Sequence, residues 1–204
     1  MRYITIALSL IASAGAAHAQ APQKTAEECG VEPLGKYLSM TLEEFDQSQS
    51  GWRSIGNAKE GCHLAAADLI AAYHPKMLDD AAGLLIHEAQ GRAFGGNEVQ
   101  ALATFKRALA HYSSVTGERR MEENILQLEA NVAFLEKDIP RLKAVRDQLA
   151  ALPVPDGYAL GVEKFKAKYP DRPPPAWPPY LPIVDRLVQC FGQPFAQAFF
   201  CGQQ

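Results

Sequence analysis

The densest concentration of chemistry-bearing side chains is the run Ile86-His87-Glu88-Ala89-Gln90-Gly91-Arg92. An imidazole, a carboxylate, an amide and a guanidinium fall within two turns of a helix that is otherwise mostly apolar. Imidazole with carboxylate is a pairing that moves protons, because a histidine titrates near neutrality. Glu88 and Arg92 stand at i,i+4 in the favourable order, an ion pair worth about 0.3–0.5 kcal/mol when exposed. His87 and Gln90, at i,i+3, face together. The run therefore suits a polar patch that binds a peptide or small ligand, or a structural network satisfied by neighbouring groups. The enzymatic alternative is a hydrolase-type site around His87 and Glu88. A glycosidase pair would need a second carboxylate facing Glu88, and the sequence places none.

Other chemistries lack their signatures. The sequence contains no Gly-x-Ser-x-Gly elbow, His-Glu-x-x-His zinc helix, Walker loop, Asp-rich calcium loop or Gly-x-Gly-x-x-Gly fingerprint. The glycines from Gly91 to Gly96 end a helix and do not open one, so they form a C-cap and not a phosphate cradle. Neither Cys-x-x-Cys nor Cys-x-x-Cys-His occurs, which removes the thioredoxin-type and covalent-haem readings. No catalytic residue, metal ligand or cofactor is assigned. With 20 Lys+Arg against 23 Asp+Glu the chain carries a net charge of −3, so a nucleic-acid surface is disfavoured. The 204 residues are 48% hydrophobic and 21% charged, a composition that folds and that fills one sizeable core.

The N-terminus reads as an address. Arg2 precedes an apolar run from Tyr3 to Ala17, and Ala17-His18-Ala19 has the small-x-small form of a cleavage site. The run is shorter than the ~20 residues a membrane span needs, so a signal peptide cleaved after Ala19 is expected, with no transmembrane anchor. The product is periplasmic or secreted. In an oxidising compartment the four cysteines suggest two disulfides. Of the three possible pairings, Cys29–Cys62 and Cys190–Cys201 join near neighbours in sequence.

The elements that must position these groups are helices. Leu102, Phe105, Leu109 and Tyr112 recur at helical spacing, as do Ile125, Leu128, Val132 and Leu135, and then Ile139, Leu142, Val145, Leu149 and Leu152. Thr41 with Glu44 and Asn97 with Gln100 have the capping-box form, and Asp138 can cap a helix with Pro140 in its first turn. Helices are expected near 41–47, 51–59, 63–74, 77–94, 98–112, 118–136, 139–151 and 157–168. Tyr169 to Pro182 is proline-rich and reads as an extended strap that lays Trp177 and Tyr180 on the helices. A helix over 183–191 and a short one ending at Phe200 follow, clasped by Cys190–Cys201.

Two stretches resemble the tetratricopeptide repeat. Trp52-x2-Ile55-Gly56 matches the opening Trp-x2-Leu-Gly, and Ala101-x3-Phe105-x2-Ala108 has the small–aromatic–small pattern of the second helix, with Leu85 and Ala89 suitably placed in the first. Residues 50–152 are similar to such an array, in degenerate form. The whole chain also resembles exported proteins of Gram-negative bacteria, a likeness that carries no activity with it. The repeat resemblance implies that first helices line a concave face, with Arg53, Asn57, Gln90, Gln127 and Asn131 pointing into a groove. Asn57, Gln90 and Asn131 would then form a ladder of amides suited to extended peptide backbone.

The expected architecture is all-α: antiparallel helical hairpins in a tetratricopeptide-like array, with a proline-rich strap and short C-terminal helices. Residues 1–19 are the signal peptide, 20–168 the helical domain, 169–182 the strap and 183–204 the clasped helices packed on the same domain. The expected function is an interaction scaffold for a peptide or protein partner in the envelope, with Arg53, Asn57, His87, Glu88, Gln90, Arg92, Gln127 and Asn131 as binding residues. A periplasmic hydrolase and a structural subunit of an envelope complex are the alternatives.

Overall fold

The computed structural model describes residues 22–56, 59–74, 82–115 and 121–203. The expected signal peptide and Asn57 lie outside them, as do the expected helix starts near 77 and 118. Among the described residues every regular element is a helix.

Local signals set most boundaries. Thr41 opens α2 (Leu42–Gln47): its hydroxyl accepts from the Glu44 amide at 3.2 Å, and the Glu44 carboxylate accepts from the Thr41 amide at 2.8 Å. Asn97 Oδ1 accepts from the Gln100 amide at the start of α6 (Glu98–Ser114). Asp138 Oδ1 accepts from the Arg141 amide at the start of α8 (Ile139–Ala150). Each cap satisfies a backbone donor that the helix itself leaves unpaired. α5 (Ala82–Phe94) stops where Gly96 takes φ 83° and the Asn97 amide returns to the Arg92 carbonyl at 2.8 Å. α1 (Leu34–Leu38) was not expected, because five residues after Pro33 are too few to show a period. The remaining elements are α3 (Arg53–Gly56), α4 (His63–Tyr73), α7 (Glu122–Leu135), α9 (Tyr158–Lys168), α10 (Leu181–Gln189) and α11 (Phe195–Phe199).

From α3 to α8 each helix packs against the next. The α4–α5 seam is close because glycine faces it. A Cβ on Gly91 would meet the His63 carbonyl at 3.1 Å and Ala67 Cβ at 3.2 Å, and one on Gly95 would meet Leu64 Cδ2 at 2.4 Å. Apolar contacts form two clusters. The first gathers Tyr37, Phe45, Trp52, Ile70, Tyr73 and Leu84, and the second gathers Leu85, Ala89, Phe105, Phe134, Leu142 and Phe195.

The C-terminal helices fold back on the array. α10 packs on α7 and α8, and α11 reaches α5. The Phe195 ring lies 5.9 Å from Phe94, 6.0 Å from Phe105 and 5.7 Å from Phe134, so it stands where α5, α6 and α7 meet. This changes the reading of α7. Between Asn124 and Leu135 every residue except Glu129 is buried. Gln127 and Asn131, expected on an open concave face, are 3% and 0% exposed. The physical reason is that α6, α8 and α10 pack around α7 and cover both positions.

The cysteines pair as Cys29–Cys62 and Cys190–Cys201. Two such bridges fit an oxidising compartment. No helix among the described residues is long and apolar enough to cross a membrane. The strap is pinned by two bonds: the Trp177 indole donates to the Leu152 carbonyl at 3.3 Å, and the Tyr158 hydroxyl donates to the Pro175 carbonyl at 2.5 Å.

Candidate functional site

A cavity of about 420 Å³ opens where α3, α4 and α5 meet. Small and aliphatic residues supply its apolar part: Gly56, Ala66, Ala67, Ile70 and Gly91. The aromatic rings of Trp52, Phe94 and Phe200 wall it, and Arg53, His63, His87 and Gln90 bring polar groups. A second cavity of about 220 Å³ is lined by Gly83, Ile86, Tyr112, Asn124, Gln127 and Tyr180, and again by His87 and Gln90. His87 and Gln90 therefore stand between the two spaces, one end aromatic and the other lined with amides and phenols.

Asp46, at the end of α2, organises the wall at Trp52. Its Oδ1 accepts from Trp52 Nε1 at 2.8 Å and from Arg53 Nη2 at 3.2 Å, and lies 3.7 Å from His87 Nε2. Arg53 also donates through Nε to the Asp46 carbonyl and lies over the Trp52 ring, 4.4 Å from its centroid. Arg53 Nη2 is 3.4 Å from His87 Nε2. A guanidinium has no acceptor, so this contact asks for a lone pair on Nε2. Burial pushes the His87 pKa below the usual histidine range; Asp46 pulls it back up and Arg53 lowers it further. Burial likewise lowers His63, and raises the phenols of Tyr112 and Tyr180. At neutral pH the groove thus offers neutral imidazoles, amides and phenol hydroxyls, with the Arg53 charge balanced by Asp46. Such a surface has the donors and acceptors to hydrogen-bond neutral polar groups next to apolar bulk.

Of the residues singled out in the sequence, Arg53, His87, Gln90 and Gln127 line these cavities. Glu88 and Arg92 do not. Glu88 accepts from Arg92 Nε at 2.8 Å and from Thr104 at 3.5 Å, and Arg92 continues to Asp68 at 3.1 Å and Gln100 at 2.8 Å. His87 and Glu88 are consecutive on α5 and so point in different directions, which separates the two halves of the supposed acid–base pair. Asn131 is buried apart from both cavities, and neither its Nδ2 nor its Oδ1 has a hydrogen-bond partner among the described residues. Sequence reasoning missed Asp46, His63, Tyr112, Asn124 and Phe200. Only Asp46 left a usable signal, since a buried indole N–H such as that of Trp52 requires an acceptor.

No protein family, curated protein or solved structure was found to match the chain.

Proposed function

We propose that the chain is an exported helical-repeat interaction protein that takes a peptide segment of a partner along α5. A large apolar side chain would enter the aromatic cavity, and the peptide backbone would run past Gln90 toward Asn124 and Gln127. The observation that carries this reading is the sharing of His87 and Gln90 by the two cavities. The signal-like N-terminus and the two disulfides support the export part, which places the partner in the periplasm or outside the cell. The enzymatic reading has less support: no carboxylate, serine, threonine or cysteine lines either cavity, burial raises the phenols of Tyr112 and Tyr180, and Glu88 is committed to Arg92.

Selection of displayed random peptides on the purified protein tests the proposal. Enriched peptides are expected to share one large apolar residue. Replacing His87 and Gln90 together by alanine is expected to weaken them by about tenfold or more, at ~1 kcal/mol per hydrogen bond lost, with helical circular dichroism unchanged. The exposed control Lys143→Ala is expected to bind like the parent. Equal binding by the double variant, or no enrichment, would overturn the reading.

A further inference from the structure

One wall of the aromatic cavity comes from the far end of the chain. Phe200 lies just past α11, with its ring 5.4 Å from Phe94 and 5.0 Å from Phe199. Unlike the other rings around the cavity it is 48% exposed. Its amide reaches the Ala196 carbonyl at 3.4 Å and the Cys201 amide reaches Ala198 at 3.3 Å, while the Gln203 amide donates to the Phe200 carbonyl at 3.1 Å and Arg186 Nε donates to the Phe199 carbonyl at 2.6 Å. Two ties therefore run from this segment to the α10 region: the Arg186 bond on the near side of Phe200, and on the far side the bridge from Cys201, the next residue, to Cys190.

The two bridges differ in access. Cys29 and Cys62 are both 0% exposed, whereas Cys190 and Cys201 are only partly buried. Thiol–disulfide exchange needs a thiolate to reach a sulfur directly, so a dithiol attacks the C-terminal bridge first. Opening it does not threaten the core. Val184, Leu187, Phe195 and Ala198 are fully buried in the main cluster and hold α10 and α11 in place. What opening it loosens is the turn past Phe199, which carries Phe200, while Arg186 still holds the Phe199 carbonyl.

We propose that Cys190–Cys201 is a thiol-addressed latch that fixes Phe200 as the size-setting wall of the cavity. A protein dithiol opens the latch: one of its thiolates attacks a bridge sulfur, forms a mixed disulfide and expels the other cysteine. The second thiol then resolves that intermediate. Two electrons and two protons pass to Cys190 and Cys201, and the dithiol leaves as a disulfide. With the latch closed the cavity selects ligands by width; with it open, Phe200 swings out and bulkier side chains are admitted. The consequence for selectivity rests on the groove reading above, but the movement of the wall does not.

The test reads Trp52, which becomes the sole indole in a Trp177→Phe background. The protein is titrated with dithiothreitol, free thiols are trapped with a maleimide and located by mass spectrometry, and acrylamide quenching of Trp52 is followed in parallel. Cys190 and Cys201 are expected to be labelled while Cys29–Cys62 stays closed, with Trp52 quenching rising and its emission shifting to the red at the same step. Phe200→Ala with both bridges intact is expected to show the raised quenching from the start and no further response to reductant. Simultaneous opening of both bridges, or unchanged Trp52 quenching with only the C-terminal bridge open, would overturn the proposal. Should Cys190→Ser with Cys201→Ser fail to fold, Phe200→Ala still decides the wall's role, because that side chain is half outside. No ligand enters these readouts, so their failure leaves the peptide reading standing, and failed peptide selection leaves the latch standing.

Discussion

The indole of Trp52 donates to Asp46 at 2.8 Å, and the oxygen that accepts it also lies 3.7 Å from His87. One carboxylate oxygen thus orients an aromatic wall of the cavity and biases the charge of its neighbouring imidazole. Asp46→Asn keeps an acceptor for the indole but removes the negative charge. His87 already titrates below the usual range because of burial, with Asp46 opposing that trend. The variant is therefore expected to titrate lower still, as followed by imidazole NMR signals. An upward move would contradict the assignment.

Stability is expected to depend on pH through the same residue. The unfolded chain protonates its histidines near the ordinary value of about 6.5, whereas burial lowers His63 and His87 in the fold. The unfolded state therefore binds more protons as pH falls through the window between the two values. The histidine contribution is whole above the ordinary value, is lost on descent through that window, and levels off below the folded values. His87→Asn is expected to lose less stability than the parent in urea melts between about pH 7 and about pH 5. Parallel curves for the two proteins would refute this.

The Glu88–Arg92 pair is expected to act on stability alone. Its side chains are 6% and 12% exposed, so stranding one partner is costly. Arg92 retains Asp68 and Gln100, which holds the loss in Glu88→Ala to about 2–3 kcal/mol, below that for a fully orphaned charge. Peptide binding is expected to survive. An unchanged melting temperature with binding abolished would put Glu88 in the groove after all.

Asn131 invites the opposite change. A buried amide whose polar atoms lack protein partners carries an uncompensated desolvation cost of about 1–3 kcal/mol. Asn131→Leu, similar in size and apolar, is expected to raise the melting temperature. Gln127→Ala, which removes buried volume from α7, is expected to lower it. A destabilised Asn131→Leu would mean that the amide is satisfied in solution.

What could be read in the sequence was what depends on near neighbours. Thr41, Asn97 and Asp138 announce their caps because the donors they satisfy are three residues away. Cys29–Cys62 and Cys190–Cys201 could be inferred from proximity in sequence. The spacing of Ile125, Leu128, Val132 and Leu135 marked α7 as a helix but left Gln127 and Asn131 on the face opposite to the core. Nothing near them announces that α10, which begins only at Leu181, returns to pack on that helix. The candidate site divides in the same way. Gln90 and His87 share a face of α5, whereas Asp46, His63 and Phe200 join them only through tertiary packing.

The membership of α5 in both apolar clusters reaches further than packing. Leu84 belongs to one cluster, and Leu85, Ala89 and Ala93 belong to the other. Neither half can melt without stripping a face from a helix that the other half still needs, so the two are expected to share a single unfolding transition. Amide protons of α5 are then expected to be among the last to exchange, and damage at the distant Phe195 end to loosen the Trp52 end as well. His87 and Gln90 ride on that shared spine, so a ligand bound beside them is expected to slow exchange in both clusters.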